Sequence, residues 1–467
     1  MSKLLLRNTL YLVVVVTLLA SCVAPPPPAT TAPAGEQAAA AAAPASADVQ
    51  AWADAVKAKC DGTKVNVAVS THPSVEAFRA LTPAFSDLTG IQVTYDELAE
   101  DQAKDKHFLE ATGHTGLYDV LMMDSFWVPE YVAKGVAMPL DDMVSNKDLT
   151  PAWFDWEDIL PAFRNGLGMS GDKIYGVPFA GETRFLAYRK DLFEKYGQKV
   201  PETLDEMLQV AQFFKGKEDG LYGIGHRAKT GIFFASGWLT HIYDFGDGFV
   251  DQQNWTSRMT EPDVQQSLEW FTELLKTAPP DVLNYTHEEA TSAFNTGKAA
   301  MWFDSTAIVP WLEDPERSQV VGKVGYAKGP VGPNGQGGGT LAGWDFALSP
   351  DSKNQECAWA YVMYMTSKEM ASQYVANGGV PGRTSTLMDP EFQAKNPSAA
   401  AQLEAYAQAD ELLKRNLHWI PPTPVLGKIL DRVGYWGTLP LAEGKSYEEV
   451  LKSADEEVNA ILAEAKQ

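Results

Sequence analysis

Residues 119–123, Asp-Val-Leu-Met-Met, constrain this chain most. The run is apolar enough for a buried strand and too short for a helix. It stops at Asp124-Ser125-Phe126-Trp127, and Pro129 and Gly135 then bracket a short helical turn. Two similar runs precede it, at 65–69 and 91–95. Between the first two lies a segment with Phe78, Leu81, Phe85 and Leu88 on one helical face, stopped by Gly90. Residues 98–114 read as a second helix leading into the 119–123 strand. A β-α-β-α-β succession predicts a parallel sheet with helices on its faces, its strand ends carrying His72, Glu97 and Asp124. Ligands of such sheets bind beyond the carboxyl ends of the strands. An acid, a hydroxyl and two aromatic rings at residues 124–127 suit a small polar ligand with apolar faces, such as a sugar or polyol.

The pattern continues. Strands are expected at 174–178 and 185–189, with Gly181 a plausible hinge between them. Thr203-Leu-Asp-Glu206, Thr286-His-Glu-Glu289, Ser352-Lys-Asn-Gln355 and Ser446-Tyr-Glu-Glu449 read as capping boxes that open helices. Residues 322–340, rich in Gly and Pro, read as a loop or connector, and 341–348 as a strand broken at Trp344-Asp345. No fixed repeat is visible, which argues against a solenoid.

The first 50 residues have a different logic. Lys3 and Arg7 precede an apolar core at 10–20, too short to span a bilayer and right for an export signal at 1–21. It ends in Leu19-Ala20-Ser21-Cys22, which resembles a lipobox with Cys22 as the acylated residue. Residues 22–50 are rich in Pro and Ala and read as an extended tether to the lipid anchor. Cys60 and Cys357 remain; they have no metal-site spacing, and they are read as two unpaired buried thiols, with an exported disulfide as the alternative. The net charge of −23 argues against nucleic acid or anionic lipid as the main partner.

Five pieces in order carry a resemblance. They are the 90–142 stretch, Tyr175-Gly-Val-Pro-Phe-Ala-Gly-Glu182, Phe294-Asn-Thr-Gly-Lys-Ala-Ala-Met-Trp-Phe-Asp304, Gly343-Trp344-Asp345 and Gly379-Val-Pro-Gly-Arg383. Together they are similar to the extracellular solute-binding proteins (family 1) of sugar-importing ABC transporters. Residues 302–325 look most like the sorbitol/mannitol branch. The resemblance implies an α/β, two-lobed periplasmic-binding-protein-like fold of type II, with mostly parallel sheets flanked by helices and a ligand cleft between the lobes. It implies one lobe from 51–179 plus 326–347 and another from 180–325 plus 348–467. The chain would cross between them near 178–181, 324–327 and 346–350. It further implies a monomer without a cofactor, held outside the cytoplasm by its lipid anchor, that closes on a sugar or polyol and docks on a membrane permease.

Carboxylates accept hydroxyl protons, guanidinium forks donate in fixed geometry, and rings cover C–H faces. First choices for ligand contact are therefore Asp124, Glu182, Asp304 and Arg383, with Trp127, Trp238, Trp302 and Trp344 for stacking and Asp345 beside Trp344. His72, Glu97, Arg184 and Arg227 follow. Each has a plainer alternative: a solvated charge, a local ion pair, or a core ring. Arginines facing the cleft unpaired would point to a phosphate-bearing or acidic ligand. No metal ligands are expected. The rival is a glycoside hydrolase, which also needs paired carboxylates. No nucleophile elbow, zinc-protease motif or Walker loop is present, and Gly223-Ile-Gly225-His-Arg-Ala228 fits the dinucleotide pattern only loosely. A binder is expected, not an enzyme.

Overall fold

The structure is a computed structural model that describes residues 46–465 apart from Gln336 and Asn416. The export signal, Cys22 and residues 22–45 of the tether lie outside the described residues. Residues 47–50, read above as tether, instead begin a helix, Ala47–Cys60, capped by the Ser46 hydroxyl. The helix turns Val49, Trp52 and Ala53 into the core, which is why it leaves the extended tether.

Two sheets organise the body. The first has β1 (Lys64–Ser70), β2 (Gln92–Leu98), β3 (Val120–Asp124), β4 (Val177–Glu182) and β9 (Ala342–Leu348), in the order β2-β1-β3-β9-β4. The second has β5 (Arg184–Arg189), β6 (Tyr222–Gly225), β7 (Ala299–Ser305) and β8 (Val324–Ala327), in the order β8-β5-β7-β6. β1 pairs parallel with β2 and β3, while β9 runs antiparallel to both β3 and β4. β7 is parallel to β6, while β5 runs antiparallel to β7 and β8. Each sheet therefore has a single reversed strand. In each it is the strand by which the chain enters from the other sheet.

Local chemistry explains the elements nearest the cleft. Helix Pro73–Thr89 has Pro at its start, His72 as N-cap and Gly90, at φ 76°, as its left-handed stop. Thr203 and Thr286 form complete capping boxes. Ser446 accepts from the Glu449 amide at 3.2 Å. Ser352 does not cap: Asn354 is the N-cap of helix Gln355–Met365, and the Ser352 hydroxyl donates to Asp119 at 2.6 Å.

The crossings differ from expectation in part. The first falls at Thr183, between β4 and β5, and the second lies in residues 328–341, between β8 and β9. Residues 346–350 do not cross. Helices Gln355–Met365 and Lys368–Ala376 bury Trp359, Tyr361, Met363 and Tyr374 in the core of the first sheet. The chain rejoins the second sheet only with helix Ala399–Lys414, whose Ala401 and Ala405 pack with Phe185 and Trp302. Placing 348–467 wholly in the second lobe is therefore corrected: these aromatic faces need the first sheet for burial.

Cys60 and Cys357 form a disulfide, with Cα atoms 5.8 Å apart. The expectation of two unpaired thiols fails because the packing of helices Ala47–Cys60 and Gln355–Met365 brings together residues 297 positions apart.

Candidate functional site

Four strand ends converge on one cavity. His72 follows β1, Asp124 ends β3, Glu182 ends β4, and Arg227 follows β6 of the second sheet. A larger hollow between helices Lys368–Ala376 and Pro390–Lys395 takes no residue from a strand end.

Glu182 sits where the chain passes from one sheet to the other. His72 Nδ1 accepts the Ser74 amide at 3.1 Å, so Nε2 carries the proton and donates to Glu182 Oε1 at 3.2 Å. The Ser305 hydroxyl, at the end of β7, donates to Glu182 Oε2. Burial pushes the Glu182 carboxyl up, but the bonds from His72 and Ser305 outweigh it and hold it below the usual range. Glu182 is thus an ionised acceptor gripped from both sheets.

Asp124 is the opposite case. Its Oδ1 accepts the Phe126 amide at 2.9 Å. Burial raises its pKa to about 8, and the neighbouring Glu100 and Glu182 add to the rise. At neutral pH it is mainly a protonated acid that can donate to a ligand oxygen. Trp344 lies directly opposite Asp124 in the β3–β9 register, so both side chains project to the same face of the sheet. The Trp344 ring meets Trp127 edge-on at 5.6 Å and His72 at 5.9 Å, which fixes its plane beside the cavity.

Arg227 is the cation of the wall. Its Nε and Nη2 donate to Asp304 Oδ2 and Oδ1 at 2.8 and 2.6 Å, a bidentate fork. Asp304 is only 1% exposed and also accepts the Ser305 amide at 2.7 Å. His287 lines the wall too; burial and the Arg227 charge push its pKa to about 4, leaving a neutral imidazole. Trp311, Trp419 and Phe126 add apolar surface, and the Phe126 and Trp419 rings meet at 4.9 Å.

Of the residues read from the sequence, His72, Asp124, Glu182, Arg227 and Trp344 line the cavity. Asp304 and Trp127 stand immediately behind it, against Arg227 and Trp344. The others do not line it. Glu97 is on edge strand β2, 42% exposed, and pairs with Arg79 at 2.9 Å. Arg184 is fully buried and forks onto Asp244 inside the second core. Trp238 and Trp302 are core rings whose indole N–H groups donate to Ser267 and to the Ser305 carbonyl. Arg383 donates to the Thr366 and Asp155 carbonyls. Asp345 points away from the cavity, packed against Gly168 and Gly176, and burial raises its pKa far above the usual range.

Sequence reasoning missed Glu100, His287, Trp311 and Trp419. His287 was hidden inside a capping box that reads only as a helix start. Trp419 arrives from beyond the last strand, and nothing in Leu417-His418-Trp419 signals it. Phe126 was legible as part of the 124–127 strand end. Among the described residues, no cluster of three or more His, Cys, Asp or Glu could hold a metal ion.

Known proteins share this architecture. The family described as bacterial extracellular solute-binding protein matches residues 68–372. An erythritol/L-threitol-binding protein of Mycolicibacterium smegmatis is 28% identical over 337 residues, 68% of this chain and 70% of that protein. A mannitol-binding protein of Pseudomonas aeruginosa is 26% identical, over 72% of this chain and 76% of its own length. Among solved structures, an ABC transporter solute-binding protein from Agrobacterium radiobacter in complex with ribitol superposes with a TM-score of 0.79 at 27% identity, covering 86% of this chain and 99% of that one. One from Agrobacterium vitis with bound D-mannitol gives 0.77 at 26%, with the same coverage. Two mixed sheets joined by crossing strands, a cavity at their shared strand ends, and a family match over most of the folded body lead to one assignment: the chain belongs to the bacterial extracellular solute-binding proteins.

Proposed function

We propose that this protein captures an uncharged polyol or closely related sugar outside the cytoplasm and hands it, unaltered, to the permease of an ABC importer. One observation carries the reading: donors, acceptors and indole faces from both sheets converge on a single cavity that holds no unbalanced cation. A polyol presents hydroxyls that both donate and accept. Ionised Glu182 accepts, protonated Asp124 and the Arg227 edge donate, and Trp344 covers C–H faces. Of the three candidate arginines, Arg184 and Arg227 are forked onto aspartates and Arg383 donates to backbone carbonyls, which removes the reason to expect an acidic ligand. Relatives described as binding erythritol, threitol and mannitol support the class.

Capture would proceed by lobe closure about Thr183 and residues 328–341. Two contacts support a closed form, namely the Glu76–Arg317 ion pair outside the cavity and the Phe126–Trp419 ring contact on its wall. A ligand drives closure only as far as it prefers the closed state. Cys22 would carry the lipid, with the following residues as tether. A melting-shift panel of erythritol, ribitol, mannitol, monosaccharides, disaccharides and glycerol phosphate tests the proposal. A binder at 100-fold its dissociation constant gains about 2.7 kcal/mol of stability. No shift with any member, together with product formation from a glycoside, would replace the binder by a hydrolase.

A further inference from the structure

The charge arrangement around Arg227 goes one step further, and it rests on the polyol-binding reading. We propose that Asp304 is a specificity-determining residue: by forking onto Arg227 from behind the wall, it makes the site select neutral polyols and reject their anionic counterparts, such as sugar acids and sugar phosphates.

Among the described residues that line the cavity, Arg227 is the sole Arg or Lys. Facing the cavity with it are Glu100, Asp124 and Glu182. Alone, the guanidinium would be the natural partner of a carboxylate or phosphate, since it offers a planar fork of donors. Here that fork is already taken. Nε and Nη2 both donate to Asp304. What remains for a ligand is an edge of N–H groups whose charge is balanced within 3 Å by a buried carboxylate. Such an edge suits a hydroxyl oxygen, which needs a donor and no counter-charge. An anion would meet the ionised Glu182 with no net positive charge to offset it. His287 does not change this balance, since burial and Arg227 keep it neutral.

Asp304 does not line the cavity, so this is discrimination through another residue. It works by repulsion of the wrong ligand as much as by attraction of the right one. The sequence fits: β7 delivers Asp304 and Ser305 in succession, the first to neutralise Arg227 and the second to hold Glu182.

The test is a calorimetric comparison of matched pairs on the whole protein: D-mannitol with D-gluconate, ribitol with ribonate, erythritol with erythronate. The wild type should favour the neutral member of the pair it binds by about 100-fold or more, and Asp304→Asn should shrink that preference about tenfold or more by uncovering the Arg227 charge. Asp304→Ser serves as a second variant, with a melting curve establishing that each is folded. A wild type that binds the anion within about tenfold of the polyol overturns the proposal and leaves a sugar binder standing. So does a folded variant with unchanged preference. Should neither variant fold, the wild-type ratio alone decides on the same threshold. Binding of no member of any pair removes the functional reading itself, and this inference with it.

Discussion

Removing the Cys60–Cys357 disulfide tests the packing of the first lobe most sharply. The bond joins the last residue of helix Ala47–Cys60 to the first turn of helix Gln355–Met365, across 297 residues of chain. In the chain-entropy account, closing a loop of that length restrains the unfolded state by about 5–6 kcal/mol at 25 °C. Residual structure in so long an unfolded loop lowers this, and measured disulfides centre on about 2–4 kcal/mol. Cys60 is buried beside Trp52 and Trp359, so alanine is the right replacement; serine would add the desolvation of a hydroxyl. The assay is guanidinium unfolding of the wild type, oxidised and reduced, and of Cys60→Ala/Cys357→Ala. Both the reduced protein and the double variant should unfold at lower denaturant, by about 2–4 kcal/mol, with a steeper slope as the freed chain exposes more surface. Peptide mapping of the unreduced protein should recover Cys60 and Cys357 linked. Two free thiols, or a double variant within about 0.5 kcal/mol of the wild type, would refute the reasoning.

Other outcomes follow from the site and the core. The raised pKa of Asp124, about 8 against an ordinary 3.8, means the folded state holds a proton that the unfolded state has released. Its contribution therefore makes stability fall as pH rises from about 4 to about 8, and Asp124→Asn should flatten that part of the melting-temperature profile. Equal slopes in both proteins would show that Asp124 titrates normally. Trp344→Ala should raise the dissociation constant for the bound polyol at least about tenfold, from the loss of ring contact, while the protein stays folded. Unchanged affinity by calorimetry would take the ring out of the site. Arg184→Met strands a buried Asp244 and should lower unfolding free energy by about 3–5 kcal/mol. The folded fraction should bind polyol as before, and a selective loss of affinity would return Arg184 to the ligand.

Much of the first sheet was legible because its signals are local. Short apolar runs, a Pro start and a Gly stop fix β1, β2, β3 and helix Pro73–Thr89, and with them the positions of His72 and Asp124. Thr203 and Thr286 announced their helices by the same local chemistry. What failed depends on distant partners. Arg184 and Arg383 look alike in sequence to Arg227, yet the first two are spent on Asp244 and on backbone carbonyls, while the third reaches the cavity. Trp238 and Trp302 differ from Trp344 only in what surrounds them after folding: the former are enclosed by the second lobe's cores and the latter stands on a crossing strand. The third crossing was misplaced because nothing in residues 346–350 tells a helix which sheet will cover it.

The central claim is that the cavity between the sheets holds one intact polyol. A crystal structure grown with mannitol, ribitol and erythritol in turn tests it directly. The expected result is a single unmodified molecule bounded by Asp124, Glu182, Arg227 and Trp344, with both sheets in contact with it. A cavity left empty by all three, or a molecule bound elsewhere on the surface, would contradict the account.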